Sequence, residues 1–352
     1  MGTPAPWRSR LGATRYRKLR AMSDWQPDSL LAGFEQQRLE FPPDYDGPVA
    51  ATLVRLPGPA RDKAVLYVHG FVDYFFQSEM AQRFAAEGYA FYALDLRKHG
   101  RSLLARQHPC FCNDLSEYYA ELTRAIGIVA GEQGNATLLL AGHSTGGLLA
   151  SLYAHEGDAR TRLGALWLNS PFFDFYVPAS VRPQLALAAT LGRLFPFLNN
   201  PNRLSPFYPM SLHKSQHGEW DFDLSLKPMQ GFPTYFGWLA AIRRAHARVH
   251  AGLAIACPVL AMHSDRSEFA REWKDNLMSA DTVLDVEDIK RWSPGLGRDV
   301  TLCEIPGGLH DLVLSRREVR ERVFAELFGW LQRRGFGGTS QSVATAASTH
   351  SA

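Results

Sequence analysis

The sequence predicts an α/β protein built on a mostly parallel central sheet flanked by helices, with a further region inserted over the sheet. Three observations predict this class. Short apolar runs without polar alternation recur along the chain, as strands buried on both faces require. Helical segments of about three to five turns separate them. The pattern lapses between about Phe172 and Gly252, where Pro, Asn, Phe, Trp and Leu crowd together, and then resumes.

Val49–Leu56 and Ala64–Val68 are expected strands, with Pro57-Gly58-Pro59 punctuating the space between them. Ser78–Glu87 has helical spacing through Met80, Phe84 and Ala85, and Gly88 stops it. Tyr89–Leu94 follows as a buried strand, Asn113–Ala130 as a long amphipathic helix, and Ala136–Ala141 as another apolar strand. Ser144–His155 is an expected helix and Leu163–Leu168 a strand. Beyond the insertion, whose last helix ends near His250, come strand Pro258–His263, helix Val286–Trp292, strand Val300–Ile305 and closing helix Arg316–Leu331. The expected divisions are a leader over 1–22, a first core part over 23–171, an inserted cap over 172–252, a second core part over 253–336 and a tail over 337–352. The tail is Gly, Ser, Thr and Ala with little to bury, and reads as disordered.

The chain has 352 residues, enough to bury roughly three quarters of the surface it exposes when unfolded. Its 46% apolar and 21% charged residues are those of an ordinary globular protein. The formal net charge of +3 is concentrated in the leader, where Arg8, Arg10, Arg15, Arg17, Lys18 and Arg20 stand without an acidic residue. No later basic stripe accompanies a recognition motif, so a nucleic-acid partner is not expected. No apolar core follows the leader charges, and the longest apolar stretches are too short or too interrupted to span a bilayer. The expectation is therefore no stable membrane insertion and a cytoplasmic location. Cys110, Cys112, Cys257 and Cys303 lack disulfide-framework spacing. Cys110-x-Cys112 near His108 has no second well-spaced pair, so no metal is expected, and Cys257 and Cys303 read as core thiols.

The strongest local signal is Gly142-His143-Ser144-Thr145-Gly146, set between an apolar strand and an apolar helix. A G-x-S-x-G sequence in that context is a nucleophile elbow: flanking glycines permit a sharp turn that presents the serine hydroxyl at the carboxyl edge of the sheet. Ser144 is thus the candidate nucleophile. Such a site needs two backbone N–H groups aimed at the developing oxyanion, one following the nucleophile and one in the loop after an earlier strand. Those are Thr145 and Phe71, the latter in His69-Gly70-Phe71 after strand Ala64–Val68. His69 fits a structural brace better than a proton carrier. His310 lies just after the last strand in Gly307-Gly308-Leu309-His310-Asp311, the position of the general base in this chain order, whereas His143, inside the elbow, is expected to point away from the reacting atom.

These segments, together with Leu94-Asp95-Leu96-Arg97-Lys98-His99-Gly100-Arg101-Ser102, give a resemblance over about residues 49–333. The chain is similar to the lysophospholipase and monoacylglycerol lipase-like α/β hydrolases, often labelled serine aminopeptidase-like, a label that says little about peptides. The resemblance implies the α/β-hydrolase fold with an inserted cap, no cofactor, and cleavage of carboxylic esters of glycerides or lysophospholipids. Lys98 stands where that family's D-x-R-G-x-G-x-S loop has glycine. The family's usual G-x-x-D acid motif is absent. Ser279-Ala280-Asp281-Thr282-Val283-Leu284-Asp285-Val286 resembles its acid loop and makes Asp281 the preferred third member, against Asp265, close behind strand Pro258–His263, and Asp285, a candidate cap for the next helix. Choosing Asp281 implies an excursion from Ser264 to Ala280, with a short helix over Glu268–Trp273.

The expected function is serine-dependent carboxylic ester hydrolysis through an acyl-enzyme on Ser144, on a small-molecule acyl ester. A thioesterase, peptidase or acyltransferase uses the same groups, and a non-catalytic binding protein retaining the fold is the alternative of another class. The insertion's aromatics, among them Phe172, Phe175, Trp220, Phe236 and Trp238, either line an acyl pocket or form the insertion's own core.

Overall fold

The computed structural model describes residues 25–134, 136–176, 180–200 and 204–336; the leader over 1–22 and the tail over 337–352 lie outside the described residues. The strands are β1 (Gln26–Pro27), β2 (Glu35–Asp44), β3 (Gly47–Arg55), β4 (Lys63–Val68), β5 (Tyr89–Asp95), β6 (Thr137–His143), β7 (Leu163–Asn169), β8 (Val259–Ser264) and β9 (Val300–Ile305). Among the described residues they form one sheet in the order β1-β2-β3-β5-β4-β6-β7-β8-β9. Pairing is parallel from β5 through β9, and antiparallel where β1, β2 and β3 join.

The apolar runs lack alternation because successive side chains enter different cores. Along β4, Leu66 and Val68 join one cluster while Val65 and Tyr67 join the other. Along β6, Leu138 and Leu140 face the first and Leu139 and Ala141 the second. The first cluster is closed by α2 (Tyr119–Gln133), α3 (Thr145–Glu156) and α6 (Phe236–His250), and the second by α1 (Ser78–Ala86) and α8 (Arg317–Leu331). A sheet covered on both faces follows from that division.

The strand β2 was not expected. Its sequence is polar, carries Pro42 and Pro43, and buries only Leu39, so it lacks a strand's usual signature; pairing with β3 is irregular between Phe41 and Asp44, where the prolines stand. The helix expected from Asn113 begins as a 3-10 turn at Leu115–Tyr118, where Asp114 and Glu117 make a reciprocal capping box, and continues as α2. The remaining helices are α4 (Arg182–Leu194), α5 (Phe207–Leu212) and α7 (Val286–Trp292). Within 172–252, α6 packs in the same core as the sheet through Trp238, Leu239, Ile242 and Val249, whereas α4 leaves Leu187 and Leu194 exposed. Glu268–Trp273 is not helical: Ser267 bridges to Asp281 there, and a 3-10 turn follows at Asp275–Ser279.

Candidate active site

At the carboxyl edge of the sheet, β6 ends beside β4 at Val68↔Gly142 and beside β7 at His143↔Asn169. Ser144 follows with φ 52° and ψ −117°, a conformation unfavourable for a side-chain-bearing residue and therefore held by its surroundings. Its amide donates to Asn169 O at 3.0 Å, and its carbonyl accepts from the Leu148 and Phe172 amides, each at 3.0 Å. The glycines around it are required by close approach. A Cβ on Gly146 would stand 2.3 Å from His69 O, and one on Gly142 would stand 2.5 Å from Gly146 O.

The loop after β4 brings Phe71 to the same edge. No protein acceptor among the described residues takes either the Phe71 or the Thr145 amide hydrogen. Val72, next to Phe71, has φ 50°, a strained value for a β-branched residue that costs about 1–3 kcal/mol. His69 is buried and fully used: Nδ1 donates to Gly70 O at 2.8 Å and Nε2 accepts from the Leu96 amide at 3.1 Å. That bonding is a brace between two loops.

His310 Nδ1 lies 2.8 Å from Asp281 Oδ2, and both residues are buried. The other Asp281 oxygen accepts from the Val283 and Leu284 amides, each at 2.8 Å. A carboxylate anchored in this way fixes the imidazole with Nδ1 protonated and Nε2 carrying the lone pair. Asp285 instead caps α7, accepting from the Glu287 amide at 3.0 Å. Asp265 accepts from the Gly307 amide at 2.7 Å.

Several participants are absent from the local sequence signals. Asn169 joins the elbow to the histidine loop: its carbonyl accepts from Ser144 and His143, Nδ2 donates to Asp311 at 2.7 Å, and Oδ1 accepts from the Leu312 amide at 3.1 Å. A polar residue ending an apolar strand is the one signal that marks it. His143, expected to point away from the reacting atom, packs its ring against that of His310 with centroids 4.8 Å apart. Burial pushes the His143 imidazole down to about 4 despite the favourable charge of Asp311. Lys98, at the position where glycine was usual, is wholly buried with φ 62°, and its ammonium lies 3.0 Å from Asp44 and 3.4 Å from Asp46.

One cavity of about 650 Å³ joins these groups; its lining includes Ser144, His310, Phe71, Phe172, Phe175 and Trp238. Phe71 and Trp238 stack in its wall with centroids 4.1 Å apart. Asp73, His143 and Asp311 could offer ligand atoms within 4.8 Å of one another, but Lys227 takes the first carboxylate, and Asn169 and Gln77 take the third. Cys110 and Cys112 are fully buried, whereas Cys257 and Cys303, expected in the core, are partly exposed. Among the described residues no helix is long and apolar enough to cross a membrane.

A sheet with this order, an elbow serine and a late histidine define an α/β hydrolase. Residues 59–316 match the serine aminopeptidase S33 family, and the chain belongs to it. A monoacylglycerol lipase of Mycolicibacterium smegmatis is 34% identical over 134 residues, which cover 38% of this chain and 45% of that lipase. The match thus spans less than half of the curated relative. A soluble variant of the monoglyceride lipase of Saccharomyces cerevisiae, solved with a substrate analogue, superimposes with a TM-score of 0.63 at 18% identity, covering 94% of this chain and 99% of that one. The monoacylglycerol lipase of Paleococcus ferrophilus gives 0.58 at 20% identity, covering 85% and 99%. At those identities the two structures speak for the fold.

Proposed function

We propose that the protein is a serine-dependent carboxylic ester hydrolase of monoacylglycerol lipase or lysophospholipase type, with Ser144, His310 and Asp281 as its triad. The observation that carries this reading is the shared cavity: the elbow serine and the carboxylate-held histidine line the same 650 Å³ space, whose walls include Phe71, Phe172, Phe175, Leu185 and Trp238. Apolar walls suit an acyl chain, since each CH₂ taken out of water contributes about 0.8 kcal/mol.

In the reaction, Ser144 Oγ attacks the ester carbonyl as His310 Nε2 takes its proton. The Phe71 and Thr145 amides donate to the oxyanion, and the Asp281 carboxylate stabilises the imidazolium. Collapse expels the alcohol, which receives the proton from His310 and leaves an acyl group on Ser144. Water, deprotonated by His310, then attacks the acyl-enzyme and releases the fatty acid with Ser144 restored. The relative's name supports the glyceride class, and the aromatic walls support medium to long acyl chains.

The test is a panel of carboxylic esters from acetyl to long acyl, glyceride and lysophospholipid esters included, together with an aminoacyl amide. Fluorophosphonate labelling and Ser144→Ala accompany it. The expected result is preference for the longer esters, an adduct on Ser144, and a loss of several orders of magnitude in the folded variant. An adduct elsewhere on a turning-over enzyme, or faster cleavage of the amide, would overturn the reading.

A further inference from the structure

The loop that carries Phe71 is held from outside the sheet by a buried ion pair. Lys227 Nζ lies 2.7 Å from Asp73 Oδ1, and both side chains are at least nine-tenths buried. Their residues stand 154 positions apart in sequence, Asp73 two places after Phe71 and Lys227 in the turn between α5 and α6. That turn is itself compact: Asp223 Oδ1 accepts from the Ser225 amide and hydroxyl, and the Lys227 amide donates to Asp223 O at 2.9 Å. A second stitch runs alongside the ion pair, the Asp223 amide donating to Tyr74 Oη at 2.8 Å.

The ammonium is also enclosed by aromatic rings, lying 5.3 Å from the Phe76 centroid, 5.4 Å from that of Tyr208 and 5.6 Å from that of Phe222. Burial alone would raise the Asp73 carboxyl, but the charge of Lys227, helped by His143 and His69, brings it below the ordinary value. The carboxylate therefore stays charged and keeps its hold on Lys227. Between Asp73 and Phe71 lies Val72 at φ 50°, a conformation it does not adopt without constraint. On the other side of Val72, Phe71 is stacked on Trp238 of α6. The strained residue is thus clamped at both ends by groups that arrive from the region after α5.

We infer that Lys227, acting through Asp73, is a positioning residue that holds the loop in the conformation directing the Phe71 N–H at the oxyanion. The inference rests on the reading of Phe71 as an oxyanion donor. Asp73 and Lys227 also border the cavity that holds Ser144 and His310, but in this role Lys227 acts through the loop and not on the ester, so its loss weakens transition-state stabilisation for every ester to the same degree.

The experiment compares wild type with Lys227→Met and with Asp73→Asn/Lys227→Met, the double variant leaving no buried charge unpaired. Each is measured with a p-nitrophenyl ester and a glycerol ester of the same acyl chain, with a trifluoromethyl ketone that forms a tetrahedral oxyanion on Ser144, and with an unreactive ether analogue. Both variants should lose about 10- to 100-fold in kcat on both esters, less than or equal to what removal of an oxyanion donor costs, with KM within about threefold. Affinity for the ketone should fall by the same factor while that for the ether is unchanged. If Lys227→Met does not fold, the double variant decides.

A folded double variant with kcat and ketone affinity within twofold of wild type overturns the inference. So does a loss confined to the glycerol ester, which would make Lys227 a leaving-group contact. Fluorophosphonate labelling of wild-type Ser144 separates the two levels: a labelled enzyme with unaffected variants ends this inference alone, and an unlabelled one ends the underlying reading together with it.

Discussion

Asp265 Oδ1 accepts a hydrogen bond from the Gly307 amide at 2.7 Å, so the carboxylate nearest the end of β8 holds the backbone of the histidine loop and not the histidine ring. The ring is held by Asp281, which the chain reaches only after a sixteen-residue detour in which Ser267 bridges to Asp281 and the Glu268 amide donates to Asp281 O.

The two acids should therefore separate cleanly on substitution. Asp281→Asn loses the anion that orients and stabilises His310, and kcat should fall by about 10³- to 10⁴-fold with KM little changed. Asp265→Asn keeps an oxygen for the Gly307 amide and should stay within about threefold of wild type. Steady-state kinetics on both variants, with circular dichroism to check folding, decides; a large loss at 265 beside normal activity at 281 would reverse the proposed assignment.

Two glycines in helices predict opposite responses to alanine. At Gly146 the new methyl would meet His69 O at 2.3 Å and Val68 O at 2.5 Å, both backbone atoms. Gly146→Ala should cost about 1–3 kcal/mol or more and depress kcat by moving the Thr145 amide. Gly127, exposed within α2, has nothing within 4 Å of a Cβ, so Gly127→Ala should stabilise by about 0.5–1 kcal/mol with activity unchanged. Urea denaturation of both variants is the check, and equal effects at the two sites would contradict the packing described.

Stability should decline in mild acid. Burial, more than any neighbouring charge, holds His99 and His246 down to about 3 and His143 to about 4, against the ordinary 6.5. Between those values the unfolded chain binds protons that the folded one does not, so stability rises with pH. The contribution is complete above about 6.5 and is lost as pH falls toward 4, by up to about 1.4 kcal/mol per pH unit for each histidine. The lowered Asp73 carboxyl acts in the same direction at still lower pH. Denaturation midpoints measured from pH 7.5 to 5 should fall steadily, and a flat profile would show that these imidazoles are not buried neutral.

Acyl-chain preference should respond to Ala188, which lines the cavity from α4. Ala188→Trp fills space needed by a long chain, so kcat/KM for long acyl esters should drop by more than about tenfold while acetyl and butyryl esters remain near wild type. A uniform loss across chain lengths would place the acyl chain elsewhere.

What the chain reveals locally and what it hides have physical causes. The elbow is legible because its two required glycines flank Ser144 in one short stretch of sequence, although the backbone that excludes a Cβ at Gly146 belongs to Val68 and His69 at the end of β4. The parallel sheet is legible because burial on both faces leaves unbroken apolar runs such as Leu138–Ala141. Asp281 was reached through its resemblance to an acid loop, and its contact with His310 depends on a detour whose structure is turns and a bridge, not the helix expected over Glu268–Trp273. Strand β2, second from the edge and flanked by the two-residue β1, is hidden because its residues are polar and mostly unburied and its prolines read as a break. Asn169, and the pairing of Asp73 with Lys227, were invisible for another reason: each is a polar residue whose partner comes from a distant segment, and no periodicity encodes such a pairing.

The strand order also sets when the site can exist. Ser144 leaves β6 in the middle of the sheet, but His310 follows β9, the last strand to be added at one edge, and α8 closes the second core after it. During synthesis Ser144 is therefore in place long before its proposed base, His310, has left the ribosome. A nascent chain halted before residue 300 has the elbow without His310, and β8 exposed as an edge. Under the proposed mechanism ester turnover begins only when β9 and α8 have docked, so activity would report directly on the completed sheet.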